Sequence, residues 1–316
     1  MMGRHHARTL RQLDGVELVG VADPQGDRFG CARGVPCVDD LGALLELGLD
    51  LCVVAVPAGG HEAAGVRLAE AGVHTLIEKP LADSATAARR LVHAFDQAGL
   101  VGCVGHIERY NPALQALHAL LNAGDLGVIF QIATRRHGPF PSRVRDIGVV
   151  KDLAVHDLDL TAWAARSPFT SVSARTARRA GSHHEDLVAV TGLLADGTVT
   201  NHLVNWLTPL KARVITVTGE RGCLVADAIT ATLTLYESGA APTTWSTGDL
   251  PEGGLLLPTG PRVDPLRAQL AAFRDAVLHG TGDAVRMANG LAILEVAEAC
   301  LTSARKGITI DLCPVP

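Results

Sequence analysis

Residues 71–82 read AGVHTLIEKPLA. The stretch opens on the glycine that closes a helix, passes through the apolar run Val73–Ile77, and stops at Glu78-Lys79-Pro80. A run this short and this continuously apolar suits a strand buried on both faces of a parallel sheet. Outward in both directions the pattern repeats. VELVGVA (16–22), LCVVAV (51–56) and LVGCVG (100–105) are the other strand-like runs. Helix-like segments alternate with them at 4–14, 39–47, 61–71 and 84–98, closed by Gly15, Gly48, Gly72 and Gly99. Glycine tolerates the left-handed backbone that ends helices, and Asp83-Ser84 supplies an N-cap for the last of them. Strand–helix alternation with short links predicts a Rossmann-like, doubly wound parallel sheet over residues 1–105.

A dinucleotide fold opens with a strand leading into G-x-G-x-x-G, followed about twenty positions later by an acidic residue. Asp23 stands at the end of the 16–22 run, twenty residues after Gly3. Gly3 therefore reads as the third glycine of the fingerprint, with the first strand and the first two glycines absent. A central strand is paired on both sides, and each buried backbone group left unpaired costs on the order of 1–3 kcal/mol. The expectation is thus a start placed too late, with a natural short form as the alternative. Asp23 can accept hydrogen bonds from both ribose hydroxyls of NAD and repels the 2′-phosphate of NADP. It also suits a simple turn before Pro24.

The totals restrict the function classes. The 316 residues suffice for two domains, and 47% hydrophobic with 19% charged residues is a globular composition. A net charge of −5 with no basic block gives no nucleic-acid or anionic-membrane signature. No apolar run is long enough to span a bilayer, and MMGRHHARTL has no secretory h-region. The seven cysteines are scattered without a C-x-x-C pair, which argues against structural zinc and a disulfide framework. A cytoplasmic location and no metal are expected.

From residue 106 to 316 the pattern becomes α+β. A helix is expected at 112–123, then strands at 127–136, 171–179, 187–194, 198–206, 212–218 and 231–236. Asp196-Gly197 is a tight-hairpin signal. Consecutive hairpins predict a mostly antiparallel sheet, open on one face. Residues 239–262 read as a long loop. Helices at 264–279 and 287–305 and the strand ITIDL (308–312) close the chain.

Lys79 lies just past the carboxyl end of a predicted strand, where open α/β sheets bind ligands. There an amine can relay a proton or stabilise an alkoxide. Asp152, His156 and Asp159 share one face if 149–165 is helical. His156 suits a general base and Asp152 its orienting partner; solvated helix-start carboxylates are the plain alternative. Arg109, Tyr110 and Asn111 follow the last cofactor-domain strand and are candidate substrate contacts. So are Arg143 and Arg145, since arginine clamps suit phosphate or carboxylate groups.

MGRHHA (2–7), VADP (21–24), AVPAGGHEA (55–63), AGVHTLIEKPLA (71–82) and KDLAVHDLD (151–159) together resemble the Gfo/Idh/MocA family, named for glucose–fructose oxidoreductase and inositol dehydrogenase. VGHIERYNPA (104–113), GPFPSRVRDIGVVKDLAVHDLDL (138–160) and NWLTPLKARVITVTGERG (205–222) look like its branch of UDP-N-acetylglucosamine 3-dehydrogenases and related nucleotide-sugar 3-dehydrogenases. The resemblance implies hydride transfer between a sugar hydroxyl carbon and a nicotinamide cofactor. It implies cofactor contacts from Met2, Gly3, Arg4, Asp23, Pro57, His61, Glu78 and Lys79, and a cis bond before Pro80. It implies substrate contacts from Asp152 and His156 as well as the arginines, and a homodimer or homotetramer formed through the open sheet. Two alternatives remain on the same fold: a non-catalytic nucleotide or sugar sensor, and a lyase or epimerase that oxidises its sugar transiently. The catalytic reading expects Lys79 and His156 to meet at one reacting alcohol.

Overall fold

The structure is a computed structural model, which describes residues 2–140, 147–181, 183–237, 254–261 and 263–312. Its internal contacts group into two units: residues 1–107 with 263–294, and residues 108–262 with 295–316.

In the first unit, helix α1 (Gly3–Leu10) leads to β1 (Val21–Ala22), β2 (Cys37–Val38), α2 (Leu41–Leu45), β3 (Leu51–Val54), α3 (His61–Glu70), β4 (His74–Glu78), α4 (Ala85–Ala98) and β5 (Gly102–Gly105). The strands form two separate parallel sheets, β1-β2 and β3-β4-β5. The 16–22 run therefore becomes strand only at its last two residues. Val16–Gly20 have no ladder partner, and a strand exists only where backbone groups pair. The local signals hold elsewhere. Asp40 and Ser84 cap α2 and α4 by accepting the amides of Ala43 and Ala87, and α4 ends on left-handed Gly99. Gly65 lets α3 lie close to the sheet, because a Cβ there would strike Leu91 and Ile77.

The second unit begins with a 3₁₀ turn at Ile107–Tyr110 and α5 (Pro112–Ala123). Then come β6 (Ile129–Pro139), a π-helical turn (Val150–Ala154) running into α6 (Val155–Ala165), and strands β7 (Phe169–Ala177), β8 (Leu187–Leu194), β9 (Val199–Asn205), β10 (Leu207–Gly219), β11 (Gly222–Asp227), β12 (Thr232–Glu237) and β13 (Leu255–Leu257). With β14 (Ile310–Asp311) these make one nine-stranded sheet, ordered β13-β12-β11-β10-β6-β9-β8-β7-β14. It is antiparallel except where β6 runs parallel to β9. One face packs α5 and α6 around Leu114, Leu117, Ile132, Leu160, Val217 and Leu233. Asp196-Gly197 turns β8 into β9 with Gly197 at φ 88°.

Two differences from the sequence pattern stand out. Strand β11 was not anticipated, and β13 falls in the stretch expected as loop. Helix α7 (Pro265–His279) belongs with the first unit, where Leu266, Leu270 and Phe273 join Leu10, Leu13, Leu76 and Cys103. Amphipathic periodicity says that a helix has a core face, not which core it serves. Helix α8 (Met287–Lys306) follows it. No helix among the described residues is long and apolar enough to cross a membrane.

Candidate active site

The first unit carries the candidate cofactor residues. Strands β3, β4 and β5 run parallel, so Pro57, Lys79 and His106 all lie beyond the same carboxyl edge of the sheet. The Lys79–Pro80 bond is cis, and Lys79 is half-buried. Its turn is fixed from two sides. His61 is buried, and its two ring nitrogens face the carbonyls of Pro80 and Val56, each at 2.9 Å. The sequence placed His61 near the cofactor; the structure sets Nδ1 against the Pro80 turn and Nε2 against the Val56 carbonyl. On the other side, buried Glu78 takes a 2.6 Å hydrogen bond from Nε2 of His6 in α1, and its second oxygen accepts the Lys79 amide at 3.2 Å. Burial works against the Glu78 carboxylate. The His6 hydrogen bond, followed by the charges of His6 and Lys79, outweighs it and holds the group below the usual glutamate range. Gly105 leaves room for this carboxylate, since a Cβ there would sit 3.3 Å from Glu78 Cα and Oε2.

A dinucleotide fits the remaining groups. Helix α1 starts at Gly3 after Met2, with no side chain capping its first turn and no acidic residue within it, so its free amides favour a pyrophosphate. Exposed Arg4 adds a cation there and stacks over Phe29 at 5.2 Å. Half-buried Asp23 follows β1. One of its oxygens accepts the Gln25 amide at 2.9 Å, and the other remains for a ribose hydroxyl.

The second unit carries the remaining candidate residues. Asp152 lies in the π-helical turn and His156 in the first turn of α6, both buried. The wider turn keeps residues four apart on one side of the helix, and such insertions concentrate at functional sites. Asp159 does not stand open beside them. It forms a bidentate pair with Arg109, at 2.6 and 2.8 Å, and Arg109 also lies over the Trp163 ring. Asn111 caps α5 through the Ala113 amide and donates to the Ala228 carbonyl, while Tyr110 is buried. Arg143 and Arg145 lie outside the described residues.

Sequence reading missed the groups that brace α6. Arg136 on β6 is buried and donates to Asp157 at 2.8 Å and to Glu108 at 2.9 Å. Arg213 on β10 reaches the same Glu108 oxygen at 3.2 Å. Two buried carboxylates raise the already high pKa of Arg136 against the desolvation that opposes its charge. His6 was missed as well. Lys79 belongs to the first unit, and Asp152 and His156 to the second. No group of three or more His, Cys, Asp or Glu among the described residues is placed to hold a metal.

The comparisons with known proteins follow this division. Residues 1–106 match the oxidoreductase family with an NAD-binding Rossmann fold, and residues 114–225 match the GFO/IDH/MocA C-terminal domain. The chain is 31% identical to the UDP-N-acetylglucosamine 3-dehydrogenase of Acidithiobacillus ferrooxidans, over 76% of its own length and 75% of the relative's. It is 27% identical to inositol 2-dehydrogenase 2 of Saccharopolyspora erythraea, over 100% and 94%. The solved structure of the A. ferrooxidans enzyme superposes with a TM-score of 0.84 at 25% identity, covering 97% of this chain and 95% of that one. The WlbA dehydrogenase from Bordetella pertussis, solved with NADH and UDP-GlcNAcA, shares the fold at a TM-score of 0.85 and 24% identity, covering 100% and 95%. The parallel strands with Asp23 and Lys79, the open mostly antiparallel sheet and these matches together place the chain in the Gfo/Idh/MocA family of NAD-binding oxidoreductases.

Proposed function

We propose that the protein oxidises one hydroxyl-bearing carbon of a nucleotide sugar, C3 of a UDP- or dTDP-sugar, with NAD as hydride acceptor. The 31% identity to a UDP-N-acetylglucosamine 3-dehydrogenase, over three quarters of both chains, carries this reading. Bound nicotinamide would accept the hydride. The protein's own residues must remove the hydroxyl proton and stabilise the developing alkoxide. His156 is assigned as the base, because imidazole titrates near neutral pH. Asp152 positions it, and the Lys79 ammonium stabilises the alkoxide or relays the proton. Asp23 favours NAD over NADP. Met2, Gly3, Arg4 and Pro57 line the cofactor, and Glu78 acts by holding the Lys79 turn. Leu193, Val199 and Leu203 stand exposed on β8 and β9, which favours a homodimer or homotetramer formed through the sheet.

The test is a panel of UDP- and dTDP-sugars with NAD⁺, read as NADH formation. Activity on a UDP-sugar is expected, and Lys79→Ala and His156→Ala should each lower turnover at least about 10²-fold. Full-length similarity to an inositol dehydrogenase makes free inositol the necessary comparison. NADH formed from inositol but from no nucleotide sugar removes the nucleotide from the reading. Near-normal turnover in either variant removes that residue from the mechanism.

A further inference from the structure

We propose that Arg213 and Lys211 form an anion subsite that takes the diphosphate of the substrate, so that a nucleoside diphosphate sugar is recognised in preference to a free polyol. The inference rests on the nucleotide-sugar reading and assigns it to named side chains.

Arg213 on β10 pairs in register with Arg136 on β6, and residues opposite each other on antiparallel strands present their side chains to the same face. The two arginines differ in what they have left to give. Arg136 is buried and committed to Asp157 and Glu108. Arg213 spends one nitrogen on Glu108, and its side chain is 47% exposed. Its guanidinium is therefore held in place by a carboxylate while its other donors face outward. A planar fork oriented in this way suits bidentate phosphate recognition.

Lys211 joins the same face. Gly138 lies two residues beyond Arg136 on β6, and side chains two apart share a face. A Cβ on Gly138 would point to within 4.0 Å of Lys211 Cγ. Exposed Lys211 pairs with no carboxylate among the described residues. Glu108 and Asp157 hold the two arginines, and Lys211 adds a further positive charge beside them. Arg213 also acts electrostatically on Asp157, the residue next to His156. The anion anchor and the proposed base thus belong to one unit and to one neighbourhood within it. Inositol offers this cluster no anion; a nucleotide sugar offers two phosphates.

The experiment is calorimetric titration of the full chain with UDP, with UDP-N-acetylglucosamine and with uridine as the uncharged probe, none of which needs the cofactor. UDP is expected to bind much more tightly than uridine and to weaken as salt rises. Lys211→Gln combined with Arg213→Gln is expected to weaken UDP at least tenfold. Lys211→Gln alone, which breaks no ion pair, should give a smaller loss in the same direction and guards against misfolding of the double variant. Unchanged UDP affinity in both variants, or equal affinity for UDP and uridine in the wild type, overturns the subsite. The two readings fail separately. UDP-sugar turnover with unaltered KM in the variants sinks the subsite alone, and Arg213-dependent UDP binding without turnover of any nucleotide sugar sinks the proposed reaction alone.

Discussion

His6 and Glu78 stand 72 residues apart in the chain, and their side chains meet at 2.6 Å in the buried heart of the first unit. The bond joins the first turn of α1 to the strand end that carries Lys79. His6→Ala removes the N–H and leaves a buried carboxylate short of a donor, a cost of about 1–3 kcal/mol. The pH dependence has a defined sign. Glu78 has its folded pKa below the usual value of 4.5. Its contribution is therefore full above about that pH and is lost as pH falls through the folded value. Urea unfolding at several pH values between 3 and 7 should show this acid slope in the wild type and a diminished one in His6→Ala. Coincident curves would show that the pair stabilises nothing.

The proposed preference for NAD over NADP is assigned to Asp23. With one oxygen on the Gln25 amide, the carboxylate is held at the end of β1, where it would accept from a ribose hydroxyl and repel a 2′-phosphate. Asp23→Ser removes the repulsion and keeps a hydroxyl that can bond the Gln25 amide. The ratio of kcat/KM for NADP to that for NAD should rise at least about tenfold, the equivalent of roughly 1.4 kcal/mol. A ratio that does not move would assign the preference to other groups.

What could be read from the sequence was local. Ser84, Gly99 and Asp196-Gly197 act through their own backbone neighbourhoods, and each does what its residue type dictates. The long apolar runs at 51–56 and 73–77 became paired strands because they had neighbours; the run at 16–20 had the same chemistry and none. The bracing groups were hidden for a different reason. His5-His6 and Arg135-Arg136 are doublets of identical chemistry, and only the helical or strand phase decides which member turns inward. His6 and Arg136 are buried, while His5 is only half-buried and Arg135 is exposed. Their partners Glu78, Glu108 and Asp157 are distant in sequence, so no spacing rule links them.

Arg136 tests how α6 is held. Its guanidinium lies between Glu108, which precedes α5, and Asp157, beside His156. Arg136→Met strands the buried Asp157 carboxylate and leaves Glu108 to Arg213, and breaking such a buried pair costs roughly 3–5 kcal/mol. Adding Glu108→Gln and Asp157→Asn neutralises both carboxylates, the stranded Asp157 among them, and should restore much of that stability. It should not restore turnover fully if the pair also orients the His156 turn. Thermal unfolding and kcat measured on the single and triple variants separate the two roles. A single variant as stable as the wild type would mean that the cluster contributes no net stability.

His202 on β9 gives the second unit a pH dependence of its own. The ring is fully enclosed, with Nδ1 bonded to the Thr134 hydroxyl at 2.8 Å and Nε2 without a protein partner among the described residues. Burial in this setting lowers its pKa to about 3, because an imidazolium there would lose its hydration. The unfolded chain keeps the ordinary value near 6.5. The folded state is therefore fully favoured above pH 6.5 and loses stability as pH falls from there toward 3, by up to roughly 5 kcal/mol for this one group. This window opens above that of Glu78 and overlaps it only below about pH 4.5, so the interval from 6.5 to 4.5 separates the two. His202→Asn keeps a polar atom for Thr134 and cannot take up the proton. Its urea midpoint should fall less between pH 6.5 and 4.5 than the wild-type midpoint, the remaining slope belonging to groups such as His137, whose pKa burial also lowers. Parallel wild-type and variant curves across that interval would show that the ring is protonated without cost, and hence that water reaches it.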